Sequence, residues 1–379
     1  MLLLSGPNIA GNEWKYVKDC LDTGWVSSVG AYVDQFEKMS AQFSGTKYAV
    51  ATSSGTTALH ICLLLAEVKK EDYVIIPNIT FVATCNSIKY TGADPIFIDA
   101  DSLTWQMDLD LLEEFLQSKT EQRKNQCFYK KDNRRIRVLM PVHVLGNMCD
   151  MDRLMALAST HNLVLIEDST EALGSYYKGK HAGSFGLLGT FSYNGNKIIT
   201  TGGGGMIVTD DEKLAKRAKH LTTQAKSDPF EYKHDEIGYN YRLVNVAAAM
   251  GVGQMELLPA FLKRKKQIIE FYKKELEGIG DIRFQKINEN IDPNWWLPTI
   301  FTNMQNQLLK ILNEHKMQSR PFWVPMNQLQ MFKENIYYNK CDCSDFIYQH
   351  CLSIPCSTNI TNEQLQEVCD KIKEVYTIK

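Results

Sequence analysis

An aspartate and a lysine are the residues of this sequence whose surroundings most favour chemistry. Asp168 ends the apolar run 163–168, and Lys197 lies further along in a polar, glycine-punctuated segment. Ligands of open α/β sheets bind at the carboxyl ends of the strands, where a carboxylate can hold a heterocyclic nitrogen protonated. The alternative is that Asp168 caps a helix ahead of Thr170 and Glu171.

The surroundings of Lys197 favour a reactive amine. Ile198 and Ile199 follow it directly, and residues 202–205 are four consecutive glycines. Glycines let the backbone approach a ligand closely, and a lysine that is partly removed from water loses proton affinity and becomes a nucleophile. Most lysines are solvated surface groups, and this glycine run lacks the spacing of a dinucleotide or P-loop fingerprint. Lys197 is therefore the candidate nucleophile, with a surface role as the alternative.

The segment 49–60 is a candidate phosphate-binding turn. An apolar run breaks at a Ser-Ser-Gly turn and continues at once into a second apolar pattern with helical spacing. Free backbone N–H groups at a helix start, together with the hydroxyls of Thr56 and Thr57, suit a dianionic phosphate. The alternative is an ordinary helix cap that uses the same hydroxyls, and this segment by itself supports both equally.

The composition predicts a folded globular protein with a large core. The chain has 379 residues, of which 44% are hydrophobic and 23% charged, and its formal net charge is -2. Because such a charge does not attract a nucleic-acid backbone, we expect no nucleic-acid partner. The apolar runs 1–4 and 58–66 are too short for a signal-peptide core or a membrane span, which predicts a cytoplasmic protein without a membrane partner.

The 10 cysteines are spread along the chain rather than arranged as a disulfide framework. Cys20, Cys62 and Cys85 fall in apolar patterns with helical spacing, which favours reduced, buried thiols. Four further thiols lie close enough in sequence to be considered as zinc ligands: Cys341, Cys343, Cys351 and Cys356. The paired C-x-x-C spacing of zinc knuckles is absent, so we predict no metal site.

The order of the apolar runs predicts the elements that position these residues. Short β-branched runs alternate with helical patterns from residue 47 to about residue 250, as in parallel strands joined by crossover helices, so the fold class is α/β. The predicted strands are 48–51, 73–76, 95–98, 137–142, 163–167, 189–192 and 205–208. The predicted helices between them are 57–66, 81–90, 109–116 and 151–161.

The pattern changes near residue 250. A long amphipathic helix is predicted at 255–276, followed by a short strand at 282–285 and a terminal helix from about residue 362. We therefore expect residues 1–250 to form a large ligand-binding domain and residues 251–379 a small C-terminal one. The polar insertion 119–135 is predicted to be a solvated loop.

Taken in order, five motifs resemble those of the DegT/StrS family of sugar aminotransferases. The motifs are Ser54–Thr57, Asn78–Thr84, Glu167-Asp168, Phe191–Lys197 and Gly238–Leu243. No single motif is specific, but their order is, and the resemblance covers nearly the whole chain. It implies the aspartate-aminotransferase (type I) fold, with a mostly parallel central sheet flanked by helices and a smaller C-terminal α+β domain. It also implies a homodimer and pyridoxal 5'-phosphate (PLP), which the large domain would bind.

The resemblance implies a role for each matching position. Asp168 would hold the pyridine nitrogen of PLP, Lys197 would form the Schiff base, and Phe81 would stack on the ring. The other implied cofactor-binding residues are Gly55, Thr56, Thr57 and Ser192 at the phosphate, Asn194 in the loop of Lys197, Glu171, and Asn240, which would reach the phosphate from the neighbouring subunit.

Two positions depart from the family pattern. Many members have Gln or His where this chain has Glu171, and an acidic residue where it has Gly203. Glu171 can donate a hydrogen bond only when it is protonated, so it contacts the cofactor oxygen, the substrate or a water. Glu171 and the loop 194–205 are more similar to the branch that aminates C4 of UDP-linked 4-keto-6-deoxy-N-acetylhexosamine, the legionaminic-acid type.

The resemblance therefore predicts an enzyme that transfers the amino group of glutamate to a nucleotide-linked keto sugar for bacterial surface glycans or nonulosonic acids. The UDP sugar is the first expectation. The alternatives are GDP-4-keto-6-deoxymannose, as in perosamine synthesis, and a relative that binds nucleotide sugars without catalysis. Sugar dehydratases of this fold lack the Schiff-base lysine, so Lys197 favours transamination. The segments 23–28 and 320–326 are candidate lining of the sugar pocket, and His143 is expected to be structural.

Overall fold

The structure, a computed structural model, describes residues 1–228 and 230–377. The strands within these residues are β1 Tyr48–Thr52, β2 Tyr73–Pro77, β3 Asp94–Ile98, β4 Thr120–Arg123, β5 Gln126–Tyr129, β6 Arg135–Leu139, β7 Val164–Asp168, β8 Tyr176–Tyr177, β9 Lys180–His181, β10 Leu188–Ser192, β11 Gly205–Thr209, β12 Arg283–Phe284, β13 Ile291–Asp292, β14 Thr299–Phe301, β15 Arg320–Pro321, β16 Ile336–Tyr338 and β17 Cys351–Ser353. The α-helices are α1 Glu13–Thr23, α2 Ala31–Ser44, α3 Gly55–Leu65, α4 Ala83–Tyr90, α5 Leu109–Lys119, α6 Met151–Thr160, α7 Glu212–Thr222, α8 Asn245–Leu276, α9 Gln305–Glu314, α10 Cys343–His350 and α11 Asn362–Thr377.

The largest sheet of the described chain is mixed and mostly parallel. Its strands lie in the order β1, β11, β10, β7, β6, β2, β3 and β16, with the hairpin of β4 and β5 attached to β6. Neighbours from β10 to β16 run parallel, whereas β11 pairs antiparallel with β1 and β10. Every residue of β2 is buried, as expected where helices cover both faces of a parallel sheet. The predicted α/β class is confirmed.

The predicted strands of this sheet are all present, with ends that differ by at most about three residues, the ordinary uncertainty of element boundaries. The four predicted helices correspond to α3, α4, α5 and α6. Their apolar spacing was sufficient because each lies on one face of a buried sheet.

The polar insertion 119–135 was predicted to be a solvated loop, and this prediction is wrong, because most of it forms the hairpin of β4 and β5. Lys124 and Asn125 have φ values of 49° and 59°, as a tight two-residue hairpin turn requires. Cys127 pairs with Ile136 of β6 and is fully buried. The sequence shows no clear strand pattern here because only one face of the hairpin reaches the core, so few of its residues are apolar.

Helix α8 begins ten residues before its predicted start and spans Asn245–Leu276. Its first turns pack against α1 and α2, and α11 packs against it further along. The chain then forms a four-stranded sheet in the order β12, β14, β17 and β15. The predicted boundary between residues 250 and 251 falls inside this continuous helix, and the division into two domains stays a prediction.

The structure does not gather the four cysteines that were considered as zinc ligands. Among residues 1–228 and 230–377, the one group of three or more metal-ligating side chains is His220, Asp235 and Glu236 on the surface. Cys341 is exposed, whereas Cys351 is buried. In the same described ranges, no helix is both long and apolar enough to cross a membrane.

His181 in β9 links the stability of this fold to pH. Its Nε2 accepts a hydrogen bond from the Gly174 amide at 2.8 Å, and its Nδ1 donates to the Ala182 carbonyl at 2.5 Å. Burial lowers the pKa of His181 from 6.5 to about 4. As the pH falls through this window, the unfolded chain binds a proton that the folded chain does not, so the folded state loses stability.

We expect His181 to reduce the free energy of unfolding by about 2 kcal/mol at about pH 5 relative to about pH 7.5. Urea unfolding of the wild type and of His181→Gln at both pH values measures this contribution. The pH-dependent loss should be smaller in the variant by that amount. An equal loss in both proteins would assign the pH dependence to other groups.

Candidate active site

A cavity of about 350 Å³ lies where the carboxyl ends of β7 and β10 meet the start of α3 and the segment that carries β15. The predicted site residues that line it are Gly55, Thr56, Phe81, Asp168, Glu171, Ser192, Asn194 and Lys197. The predicted residues Thr57 and Asn240 are not among the lining residues. The sheet thus gathers most of the residues that the motifs named, although they are spread over more than a hundred positions.

Asp168 is held in place by hydroxyl groups at the end of β7. Its Oδ2 accepts a hydrogen bond from Thr84 Oγ1 at 2.7 Å. Its Oδ1 accepts from the hydroxyl and the amide of Thr170 at 2.7 and 3.2 Å. Asp168 is 2% exposed and lines the cavity. Its carboxylate therefore both caps the following turn and faces the cavity.

Glu167 and His143 form a buried pair behind Asp168. His143 Nε2 lies 3.0 Å from Glu167 Oε2, and the amides of Gly183, Phe185 and Gly186 donate to the same carboxylate. Burial by itself raises the pKa of Glu167. The hydrogen bond and charge of His143, together with the hydrogen bonds from the Gly183 and Gly186 amides, outweigh burial and lower this pKa below its usual value. His143 does not line the cavity, which agrees with the structural role expected for it.

Lys197 projects into the cavity without a carboxylate partner. Its Nζ lies 3.9 Å from the ring centroid of Trp296, and no carboxylate oxygen of the described residues is within 4.0 Å of it. Burial lowers the pKa of the Lys197 ammonium, although the charges of Glu171 and Asp168 act in the opposite direction. The proton of Lys197 is therefore easier to remove than that of a surface lysine, as a nucleophilic amine requires.

Glu171 lines the same cavity with one carboxylate oxygen fixed. Its Oε2 accepts a hydrogen bond from the Leu145 amide at 2.8 Å. Leu145 has a φ of 61°, an unfavourable conformation for a branched side chain that turns this amide toward Glu171. Burial raises the pKa of Glu171 to about 7, against the lowering effects of Lys197 and the Leu145 amide. Glu171 can therefore donate or accept a proton near neutral pH.

The start of α3 offers backbone donors to the cavity. Ser54 and Thr57 form a capping box, in which the Ser54 hydroxyl accepts from the Thr57 amide and the Thr57 hydroxyl accepts from the Ser54 amide, both at 3.1 Å. The amides of Gly55 and Thr56, the first two of the helix, have no intrahelical partner. A Cβ on Gly55 would lie 3.0 Å from Ser192 Cβ, so a larger residue would crowd this cradle.

This set of donors fits PLP. Two free amides at the start of α3 and the hydroxyls of Thr56 and Ser192 suit its phosphate. The fixed carboxylate of Asp168 suits its ring nitrogen, and the amine of Lys197, whose pKa is lowered, suits its aldehyde. The hydroxyl of Thr57 already serves the capping box, so its contribution to phosphate binding stays a prediction.

Asn240 lies outside the cavity on the protein surface. The carbonyl of the neighbouring Tyr241 accepts a hydrogen bond from the Ser53 amide at 2.8 Å, and Arg242 forms an antiparallel β-bridge with Thr52. The segment that carries Asn240 therefore runs beside the turn that precedes α3. Because Asn240 is exposed, its side chain is available to a second subunit.

The cavity also has aromatic lining that the motifs did not identify. Trp296 and Trp323 stack with ring centroids 6.4 Å apart, and Trp296 Nε1 donates to the Asn196 carbonyl at 2.7 Å. Of the predicted sugar-pocket segments, 320–326 contributes Arg320 to Trp323 to the cavity, whereas 23–28 does not line it. That these residues contact the sugar stays a prediction. In the sequence, only the adjacent tryptophans at 295–296 could have indicated this aromatic lining, but such a doublet alone more often indicates core packing.

Comparison with known proteins identifies the family. The model of the DegT/DnrJ/EryC1/StrS aminotransferase family matches residues 7–373. A GDP-perosamine synthase of Escherichia coli O157:H7 is 37% identical over 376 residues, which cover 98% of both chains. A GDP-perosamine synthase of Caulobacter vibrioides is 37% identical over 331 residues, 86% of this chain and 85% of that one.

A solved structure agrees with the predicted fold. Spr1654 of Streptococcus pneumoniae, assigned as a sugar aminotransferase, was determined in its PLP form. It superposes with a TM-score of 0.88 at 25% identity, over 99% of this chain and 98% of that one. The chain therefore belongs to the DegT/DnrJ/EryC1/StrS aminotransferase family, and it is an enzyme with the PLP-dependent aminotransferase fold that uses PLP as its cofactor.

Proposed function

We propose that this enzyme transfers the amino group of glutamate to the keto group of GDP-4-keto-6-deoxymannose. The observation that carries this proposal is the 37% identity to a GDP-perosamine synthase over 98% of both chains. Glu171 and the loop 194–205 had favoured a UDP-linked N-acetylhexosamine, with the GDP sugar as the alternative. Three GDP-perosamine synthases among the similar proteins reverse that order, and the legionaminic-acid branch is no longer the first choice.

The proposed cofactor contacts follow from the cavity lining. Asp168 holds the ring nitrogen, Phe81 stacks on the ring, and Lys197 is the covalent anchor. The phosphate binds at the start of α3, where Gly55 and Thr56 present their amides, and Ser192 adds a hydroxyl. Each of these residues lines one cavity, which supports the assignment.

When bound, PLP supplies an electron sink that stabilises negative charge on the carbon of the amino donor. Asp168 keeps a proton on the ring nitrogen and so maintains that sink. With the donor bound, the amine of Lys197 would be free to take the proton from the donor carbon and to pass it to the cofactor. The amino group would stay with the cofactor when glutamate leaves as 2-oxoglutarate, whose keto oxygen comes from water. With Lys197 and Asp168 in the same roles, the amino group would then pass to the sugar carbonyl, whose oxygen leaves as water.

We also propose that the enzyme is a homodimer with shared sites. Asn240 is exposed and outside the cavity of its own chain, which supports a contact with the phosphate in the partner's site. An isologous interface would complete both sites together. A cytoplasmic location, where nucleotide sugars and glutamate are present, is part of the same proposal.

A panel of substrates tests the proposed function. The PLP-loaded protein is incubated with glutamate and with GDP-, UDP- or dTDP-linked 4-keto-6-deoxy sugars, while 2-oxoglutarate and the amino sugar are quantified. We expect one 2-oxoglutarate per amino sugar and a kcat/KM for the GDP sugar at least about 10-fold above the others. Reactions without glutamate are the control. A preference for a UDP or dTDP sugar would contradict the assigned substrate, and no turnover would favour a binding protein.

A further inference from the structure

Lys265 is a buried lysine that the proposed mechanism does not use. It lies in α8 and is 1% exposed. No carboxylate oxygen of residues 1–228 or 230–377 lies within 4.0 Å of its Nζ. Removing an ammonium group from water costs free energy unless hydrogen bonds compensate for it, and lysines are rarely buried without a partner. The acceptors around this Nζ therefore indicate what the residue does.

The ammonium group of Lys265 joins α8 to three irregular segments of the chain. Its Nζ donates hydrogen bonds to the carbonyls of Cys356 and Trp296 at 2.7 and 2.9 Å. It also lies 3.2 Å from Cys356 Sγ and 3.5 Å from Ser5 Oγ. These three residues lie outside the helices and strands, so no regular ladder of backbone hydrogen bonds fixes them. Three N–H donors on one atom can hold such segments together.

Two of these segments line the cavity. Trp296 is a lining residue, and so is Leu4, which precedes Ser5. The Leu4 carbonyl accepts hydrogen bonds from the amide and the thiol of Cys356 at 2.7 and 3.0 Å. Burial raises the pKa of this thiol, against the charge of Lys265, so the thiol keeps the proton that it donates. Lys265 thus holds Trp296 directly and Leu4 through Cys356.

The position of Trp296 matters because its indole contacts Lys197. The Lys197 Nζ lies 3.9 Å from the ring centroid of Trp296, and Trp296 Nε1 donates to the carbonyl of Asn196, the preceding residue. The Trp296 amide donates to Asn294 Oδ1 at 2.9 Å, while its carbonyl accepts from Lys265. Both sides of the Trp296 backbone are therefore restrained, and the indole in turn restrains the amine of Lys197.

We propose that Lys265 is a positioning residue that acts through Trp296 to place the amine of Lys197, an inference that rests on the role proposed for Lys197. Without the Lys265 ammonium group, the Trp296 carbonyl loses its nearest donor, and the turn that carries the indole can move. A displacement of about 1 Å near the reacting groups can lower a rate by about 100-fold. Lys265 does not line the cavity, so it affects the reactivity of Lys197 through contacts outside it.

The rate at which PLP attaches to Lys197 tests this proposal. Wild type and Lys265→Met are mixed with PLP, borohydride is added at successive times, and peptide mass spectrometry quantifies the label at Lys197. Methionine keeps an unbranched side chain of similar length but offers no donor, so we expect labelling to be about 10-fold slower. In the glutamate half-reaction, the limiting rate should fall likewise. Half-saturation should stay within about 3-fold, because Lys197 moves a proton and does not bind glutamate.

Tyr272→Phe is the matched control. The buried Tyr272 hydroxyl, also on α8, donates to the Pro355 carbonyl at 2.6 Å. This variant loses a hydrogen bond between the same helix and the segment after β17, but none to Trp296, so it should label as fast as the wild type. If Lys265→Met does not fold, Lys265→Gln takes its place, because its side chain is one atom shorter and cannot reach both carbonyls. Equal slowing in Tyr272→Phe, or a wild-type rate in the Lys265 variant, overturns the proposal.

A second substitution shows whether the effect passes through Trp296. In a Trp296→Leu background, Lys265→Met should slow labelling by less than about 2-fold further, because the indole that Lys265 positions is gone. A further loss of about 10-fold would mean that Lys265 acts by another route and would overturn the proposal. A wild type without label at Lys197 would remove the role proposed for Lys197 and this inference with it. A labelled wild type with an unchanged rate in Lys265→Met contradicts this inference alone.

Discussion

Lys197→Ala is expected to abolish covalent attachment of PLP while leaving the chain folded. The Lys197 amine rests on the Trp296 ring at 3.9 Å and has no carboxylate partner among the described residues, so the fold gains little from it. Its lowered pKa makes it the reactive amine of the cavity. Borohydride reduction after incubation with PLP, followed by peptide mass spectrometry, should locate the label at Lys197 in the wild type and find none in the variant.

The thermal unfolding midpoint of Lys197→Ala without PLP should stay within about 3 °C of the wild type, because no buried hydrogen bond is lost. Lys216→Ala, a substitution on the exposed face of α7, should label as the wild type does. A label that persists in Lys197→Ala at another lysine, or a wild type that takes no label, would remove Lys197 from the proposed mechanism.

Asp168→Asn is expected to retain PLP but to slow the glutamate half-reaction by at least about 100-fold, equivalent to roughly 2.7 kcal/mol. The amide can keep an oxygen toward the Thr170 amide and point its NH2 group at the Thr84 hydroxyl, which can reverse its role. The hydrogen bonds that hold this side chain thus survive, but the negative charge that keeps the ring nitrogen protonated is lost. Stopped-flow absorbance with saturating glutamate measures the rate, and equilibrium dialysis measures retained PLP.

Asp108→Asn is the matched control for this substitution. Asp108 accepts hydrogen bonds from the Asp110 and Leu111 amides at the start of α5, outside the cavity, and Asn caps helices equally well. Its rate should equal that of the wild type. A near-normal rate for Asp168→Asn would mean that another group protonates the ring nitrogen, whereas loss of PLP would point to a binding role for Asp168.

The sheet was predictable because parallel strands covered on both faces must be apolar throughout. The runs that became β2, β3 and β7 are buried almost completely, so composition alone indicated them. The hairpin of β4 and β5 was missed since it buries little besides Cys127, and its polar residues conceal the alternation. The early start of α8 was missed because its first turns pack on α1 and α2, a contact without a local pattern.

The sequence by itself determined which residues stand at the strand ends and helix starts where ligands bind. Asp168 closes β7, Gly55 opens α3, and Ser192 ends β10, and each assignment depends only on neighbouring residues. Local chemistry is sufficient there because the edge of a parallel sheet gathers the ends of all its strands. The order of the motifs then predicted the family and its cofactor.

Only the tertiary structure decided how these groups behave. The chain folds back so that Trp296 and Arg320, about a hundred residues or more beyond Lys197, complete the same cavity. Burial in that cavity raises the pKa of Glu171 to about 7 and depresses that of Lys197. Contacts between distant segments and the loss of water around a charge are consequences of packing, and no local spacing of residues specifies them.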